Sequence, residues 1–141
     1  MRGIEVQMSA TQLATYMFIL YQSCCTHYGG LIKAGQHNPL SEKDVKRLGS
    51  TYHAICNLFR DTPITDERSY LEDIPNIRGY IARIRTAIAH HIDDQDIRFY
   101  MPQDTDDKSR YHIAIECDKI TLRTASGDVP FEEYPLWKTL R

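Results

Sequence analysis

Arg85 and His90 stand with four residues between them, and this pair of residue types can cleave RNA without a metal ion. An imidazole takes the proton from a ribose 2′-hydroxyl or gives one to the leaving oxygen, while a guanidinium stabilises charge on the phosphorane. Histidine suits the task because it titrates near neutrality. The same spacing, four to six intervening residues, recurs as Arg85 to His91, Arg83 to His90 and Arg47 to His53, and a chain of this composition yields one or two such pairs by chance. Context separates them. Arg47 and His53 lie on different faces of one helix, with acidic neighbours before them, and read as coincidence. Arg85 and His90 instead close the stretch Ile74 to Ile92, which holds Arg78, Arg83, Arg85, His90 and His91 and no acidic residue.

That stretch also carries the strongest period in the chain. Ile74, Ile77, Tyr80, Ile81, Ile84, Ala87, Ile88 and Ile92 follow the i, i+3, i+4, i+7 pattern of an amphipathic helix. At about 100° per residue, Ile77, Ile81, Ile88 and His91 fall within about 60° of Ile84, so His91 faces the core or an interface. Arg78 and Arg85 share one flank, Arg83 and His90 the other, and Arg85 and His90 are about 140° apart on one ideal helix. Opposite the core stand Ala82, Thr86 and Ala89. A small face between basic flanks suits close approach by another helix, either a second copy across a dimer seam or a neighbour inside the bundle. We expect the dimer seam.

The segment Ile84-Arg85-Thr86-Ala87-Ile88-Ala89-His90-His91 resembles the HEPN family (higher eukaryotes and prokaryotes nucleotide-binding domains). Those are helical bundles whose signature, commonly R-N-x-I-A-H, closes the third or fourth long helix. The match runs through Arg85, Ile88, Ala89 and His90, and Thr86 stands where the family usually carries Asn, Asp or His. The resemblance implies a mainly α, HEPN-like bundle with a small C-terminal antiparallel β-hairpin. It implies a metal-independent, cofactor-free endoribonuclease, active as a homodimer with Arg85 and His90 of both protomers lining one cleft. Arg78, Arg83, Thr86 and His91 would then contact phosphates or support the interface. A toxin-like or defence-related role, as in toxin–antitoxin or phage-defence systems, is implied by the same likeness. The alternative is a non-catalytic HEPN-like module that dimerises or docks an antitoxin or a nucleotidyltransferase-like partner. Thr86 and the overall acidity favour this second reading.

The elements that must hold these residues fit one domain. At 141 residues, 42% hydrophobic and 26% charged, the chain has ordinary globular composition and one core. We expect a single domain over 1–141, with a helical bundle at about 9–92 and a β-hairpin with C-terminal segment at about 97–140. Ser9 with Gln12 forms a capping-box pattern before a first helix that Gly29 and Gly30 stop. Ser41 with Asp44 opens a second helix bearing Val45, Leu48, Tyr52, Ile55, Leu58 and Phe59, and Lys33 to Asn38 reads as the loop between them. A short helix or loop fits Asp66 to Leu71. Tyr111, Ile113 and Ile115 alternate with polar residues ahead of a Cys117-Asp118 corner, predicting a hairpin with Lys119 to Arg123 and, with the apolar run Ile97 to Met101, a possible third strand. Phe131, Tyr134, Trp137 and Leu140 recur every third residue, broken at Pro135.

Composition excludes several classes. A net charge of -2 argues against a domain coated in basic surface, so any polyanion site is local. The acid-rich connector from Asp93 to Asp107 reads as a solvated loop. The longest apolar run, Tyr16 to Tyr21, is far short of the roughly 20 residues a membrane span needs, and Glu5 interrupts any signal sequence. The expectation is a cytoplasmic protein with Cys24, Cys25, Cys56 and Cys117 as reduced thiols. Cys24 with His27 and His53 with Cys56 resemble halves of a zinc site, but antiparallel helices place them about 15 Å apart, so no metal is expected. Tyr100 and Tyr111 are the tyrosines best placed to stack on bases.

Overall fold

The computed structural model describes residues 8–34, 39–59, 69–91, 97–124 and 127–140, apart from the side chains of His91, Cys117, Arg123 and Thr124. Three long helices form the body. α1, Ala10–Cys24, begins where the Ser9 Oγ accepts the Gln12 amide at 3.2 Å and the Gln12 side chain accepts the Ser9 amide at 3.2 Å, the reciprocal cap its sequence predicts. Every residue from Ala14 to Gln22 is buried, so beyond its exposed first turn this helix is enclosed on all sides. It ends at Cys24, before the glycines; Gly29 serves the turn that follows, at φ 71°.

α2, Glu42–Asn57, is capped by the Ser41 hydroxyl, with Glu42 and Asp44 in its first turn against the positive end of the helix dipole. Leu48, Tyr52 and Ile55 are buried. Gly49 lets α2 approach α3, Tyr70–His91, since a Cβ there would stand 3.2 Å from the Tyr70 Cβ. α3 starts four residues ahead of the predicted Ile74, and its buried stripe of Tyr70, Ile77, Ile81, Ile84 and Ile88 packs on α1. The first half of the segment Asp66 to Leu71, expected as a short helix or a loop, lies outside the described residues, and Tyr70 and Leu71 belong to α3.

The sheet region departs from expectation. β1, Leu31–Ile32, opens the stretch between α1 and α2, and it pairs antiparallel with β3, Arg110–His112, with Leu31 opposite Tyr111. On its other side β3 pairs with β2, Gln103–Asp104, giving the order β1-β3-β2. Gly30, at φ 150°, permits this pairing because a Cβ there would lie 2.5 Å from the Tyr111 carbonyl oxygen. The predicted hairpin between residues 111–115 and 119–123 does not form. The Ile115 amide bonds to the Phe99 carbonyl at 3.0 Å, and β4, Thr121–Thr124, turns instead onto β5, Gly127–Pro130. Alternation records which side chains are covered and does not specify the strand that covers them. The apolar run Ile97 to Met101 is likewise no strand: Ile97–Tyr100 is one helical turn, α4, which turns Ile97 and Tyr100 inward and Phe99 outward.

The C-terminal segment completes the core. Phe131 and Trp137 are fully covered; the indole Nε1–H donates to the Phe131 carbonyl at 2.5 Å, and its ring lies 4.6 Å from that of Tyr21 on α1. Pro135 breaks the period and caps α5, Leu136–Thr139. One expectation about the thiols is overturned: Cys25 and Cys56 are free, but Cys24 is disulfide-bonded. Such bonds persist in oxidising surroundings, which removes thiol usage as a ground for a cytoplasmic location. Among the described residues no helix is long and apolar enough to cross a membrane.

Candidate functional site

The C-terminal half of α3 positions the predicted residues. With Ile77, Ile81, Ile84 and Ile88 fixed in the core, the helix period turns Ala82, Thr86 and Ala89 outward, and all three are exposed. Pro75 and Gly79 extend this small face toward the helix start, and both are exposed. The five residues span about 21 Å of helix at 1.5 Å per residue. The Thr86 hydroxyl donates to the Ala82 carbonyl at 3.1 Å, so its oxygen stays close to the helix wall and the face remains shallow.

On one flank Arg78 and Arg85 reach down to the first sheet. Arg78 donates to the Ala34 carbonyl just beyond β1. Arg85 donates from Nε to the Pro102 carbonyl at 2.9 Å, and a terminal nitrogen lies 3.6 Å from the Asp104 Oδ1 on β2. Asp104 Oδ1 also accepts from Lys33 Nζ at 2.8 Å, and that ammonium sits 4.6 Å from the centre of the Tyr111 ring. Two cations therefore share one carboxylate, leaving local positive charge in a chain that is acidic overall. The Arg85 side chain keeps 39% of its surface exposed. On the opposite flank Arg83 and His90 are both exposed. Arg85 and His90 therefore border the small face from its two sides and do not converge within one chain. The side chain of His91 lies outside the described residues, as do Asp93, Asp94 and Asp96 of the acidic connector.

The Lys33 hydrogen bond holds the Asp104 carboxyl below its ordinary value against an opposing desolvation effect, with the nearby charges of Lys33, Arg85 and Lys108 adding to the lowering. A carboxyl lowered in the folded state contributes stability above its unfolded value, about 4, and loses it only as pH falls through the folded value. Asp104 thus stays charged throughout pH 6 to 8. Asp104→Asn should leave the shape of a pH–rate profile over that range unchanged, whatever it does to the amplitude; a shifted inflection would show that this carboxyl titrates in the reaction.

No family model, curated protein or solved structure matches this chain. The site must therefore be judged on its own chemistry.

Sequence reasoning missed a second constellation. His53 on α2 lies with Nε2 2.8 Å from Oδ2 of Asp73 on α3, whose side chain is 3% exposed. A signal was present: on the α3 wheel Asp73 falls about 20° from Ile84, a lone acid on the apolar stripe that requires a polar partner. Starting the helix at Ile74 hid it. Arg47, the chance partner of His53 by spacing, turns away to Asp44 at 3.3 Å and stacks 4.0 Å over Tyr28. Of the residues that resemble zinc-site halves, Cys24 is in a disulfide and His53 bonds to Asp73; among the described residues no three His, Cys, Asp or Glu side chains gather as a metal site. Neither tyrosine singled out for stacking presents an open face. Tyr100 is buried, and Tyr111 is half-buried beneath Lys33.

Proposed function

We propose that the protein is a metal-independent endoribonuclease of HEPN type, toxin-like or defence-related, acting as a homodimer paired through Ala82, Thr86 and Ala89. The observation that carries this reading is the exposed small face of α3 bordered by Arg85 on one side and His90 on the other. A two-fold axis parallel to the helix exchanges the two flanks, so Arg85 of one protomer comes to the side occupied by the partner's His90. The offset of five residues along the helix, about 7.5 Å, is within the reach of an extended arginine. Two copies then supply what one chain cannot bring together.

In that cleft the ribose 2′-oxygen attacks the adjacent phosphorus as one imidazole removes its proton. The P–O5′ bond breaks, and the imidazolium so formed returns the proton to the departing 5′-oxygen. The Arg85 guanidinium faces the charge that builds on the non-bridging oxygens, and its tie to Pro102 holds it in one orientation. The products are a 2′,3′-cyclic phosphate and a 5′-hydroxyl. Purified protein incubated with labelled total RNA and tRNA in EDTA should generate ends of that type. Absence of cleavage would shift the reading to its alternative.

That alternative is a non-catalytic dimerisation or docking module for an antitoxin or a nucleotidyltransferase-like protein. The bonds of Arg85 to Pro102 and Asp104 favour it, since they also suit a purely structural staple between α3 and the sheet. Both readings use the seam. Ala89→Arg should convert dimer to monomer by light scattering, because a long cation replaces a methyl at the contact; an unchanged dimer would sink this face as the interface.

A further inference from the structure

The single turn α4 is held by its own segment and by neighbours on α1, on α3 and after β3. The Ile97 carbonyl accepts from the Met101 amide at 3.1 Å, that of Arg98 from the Gln103 side chain at 2.6 Å and that of Phe99 from the Ile115 amide at 3.0 Å. The Tyr100 carbonyl accepts from the Tyr16 hydroxyl of α1 at 2.7 Å, and the Pro102 carbonyl from Arg85 of α3. Five of six successive carbonyls are thus fixed, and Tyr100 anchors the turn in the core. A short segment tied this tightly presents its outward side chains in defined positions. Those side chains are Phe99, 54% exposed, and Arg98, also exposed.

An aromatic ring displayed on a rigid base beside guanidinium groups has the chemistry of a single-stranded RNA contact, with a π-face for a base and cations for the phosphates. Among the described residues the other large exposed apolar side chains, Leu13 on α1, Leu71 on α3 and Leu58 just past α2, have no π-face. Phe99 is three residues from Pro102, hence within about 11 Å, Cα to Cα, of the backbone that anchors Arg85. We propose that Phe99 is a stacking platform for an unpaired base of the RNA substrate, set next to the cleft of Arg85 and His90. This inference rests on the nuclease reading for its ligand, an RNA strand, and assigns the ring that the buried Tyr100 and the covered Tyr111 cannot supply.

The test measures binding of a fluorescently labelled, mixed-sequence single-stranded oligoribonucleotide to the full chain carrying His90→Ala, so that substrate persists. In that background Phe99→Ala should weaken binding about 5- to 150-fold. Phe99→Leu should weaken it similarly, since the apolar bulk remains but the π-face is gone. Phe99→Trp should restore it and show indole quenching on binding. Little change in melting temperature is expected at so exposed a position. Equal binding by the Phe99→Ala or Phe99→Leu protein, or no binding by its Phe99 parent, overturns the platform. So does a change of oligomeric mass in the Phe99→Ala protein, which would make this an interface between copies. The two readings fail separately. Cleavage by wild type together with Phe99-independent binding removes the platform and keeps the nuclease; Phe99-dependent binding without cleavage does the reverse.

Discussion

His90→Ala should reduce RNA cleavage by about 10² to 10⁴, the range expected when a positioned acid–base group is removed. Its melting temperature should stay within about a degree or two of wild type, because an exposed surface change rarely moves stability by more than about 0.5 kcal/mol. His90 is exposed on the last turns of α3, outside the core stripe, so loss of activity would report on chemistry and not on folding. Both proteins are compared in EDTA across pH 6 to 8, with melting followed by circular dichroism. Undiminished cleavage by the variant would remove His90 from the mechanism, and lost cleavage accompanied by unfolding would not count in its favour. Arg85 is the less clean probe. Its bond to Pro102 and its partial link to Asp104 mean that Arg85→Ala also loosens the joint between α3 and the sheet, by about 1 kcal/mol at a site this exposed.

The second large effect concerns stability. His53→Ala takes from the nearly inaccessible Asp73 carboxylate the imidazole that holds it at 2.8 Å. Hydrogen bonds to charged groups in covered positions carry about 2 to 3 kcal/mol, because a buried charge has little water to fall back on. Urea denaturation should show the midpoint moving down with an unchanged slope. Asp73→Asn should cost less, since an amide oxygen can still accept from His53. In His53→Ala/Asp73→Ala much of the loss should return, because the charge that needed the partner has gone as well. A His53→Ala protein within about 0.5 kcal/mol of wild type would show that the pair contributes no more than an exposed contact does. This pair ties α2 to the first turn of α3 and so helps fix the helix that carries Arg85 and His90 at its other end.

The three long helices were legible because each carries its own local signals. Ser9 with Gln12 and Ser41 with Asp44 mark helix starts by side chains that bond to amides three residues away, and the isoleucines of α3 mark its buried face by their period. Local chemistry of this kind needs no knowledge of the rest of the chain. The same period was enough to expose Ala82, Thr86 and Ala89 and to set Arg85 and His90 on opposite flanks. Strand partners were another matter. Residues 111–115 alternate as a strand should, yet β3 pairs with β1, some 80 positions earlier, and with β2, and only the packed fold brings those edges together. Sequence chemistry by itself determined a capped helical bundle with a basic, acid-free third helix and an arginine–histidine pair at its end. Tertiary structure alone decided that Arg85 is tied to Pro102, that His53 answers Asp73 across two helices, and that Phe99 takes the exposed place predicted for its neighbour Tyr100. These are contacts between residues distant in the chain, and their energies depend on burial and on partners that no local pattern encodes.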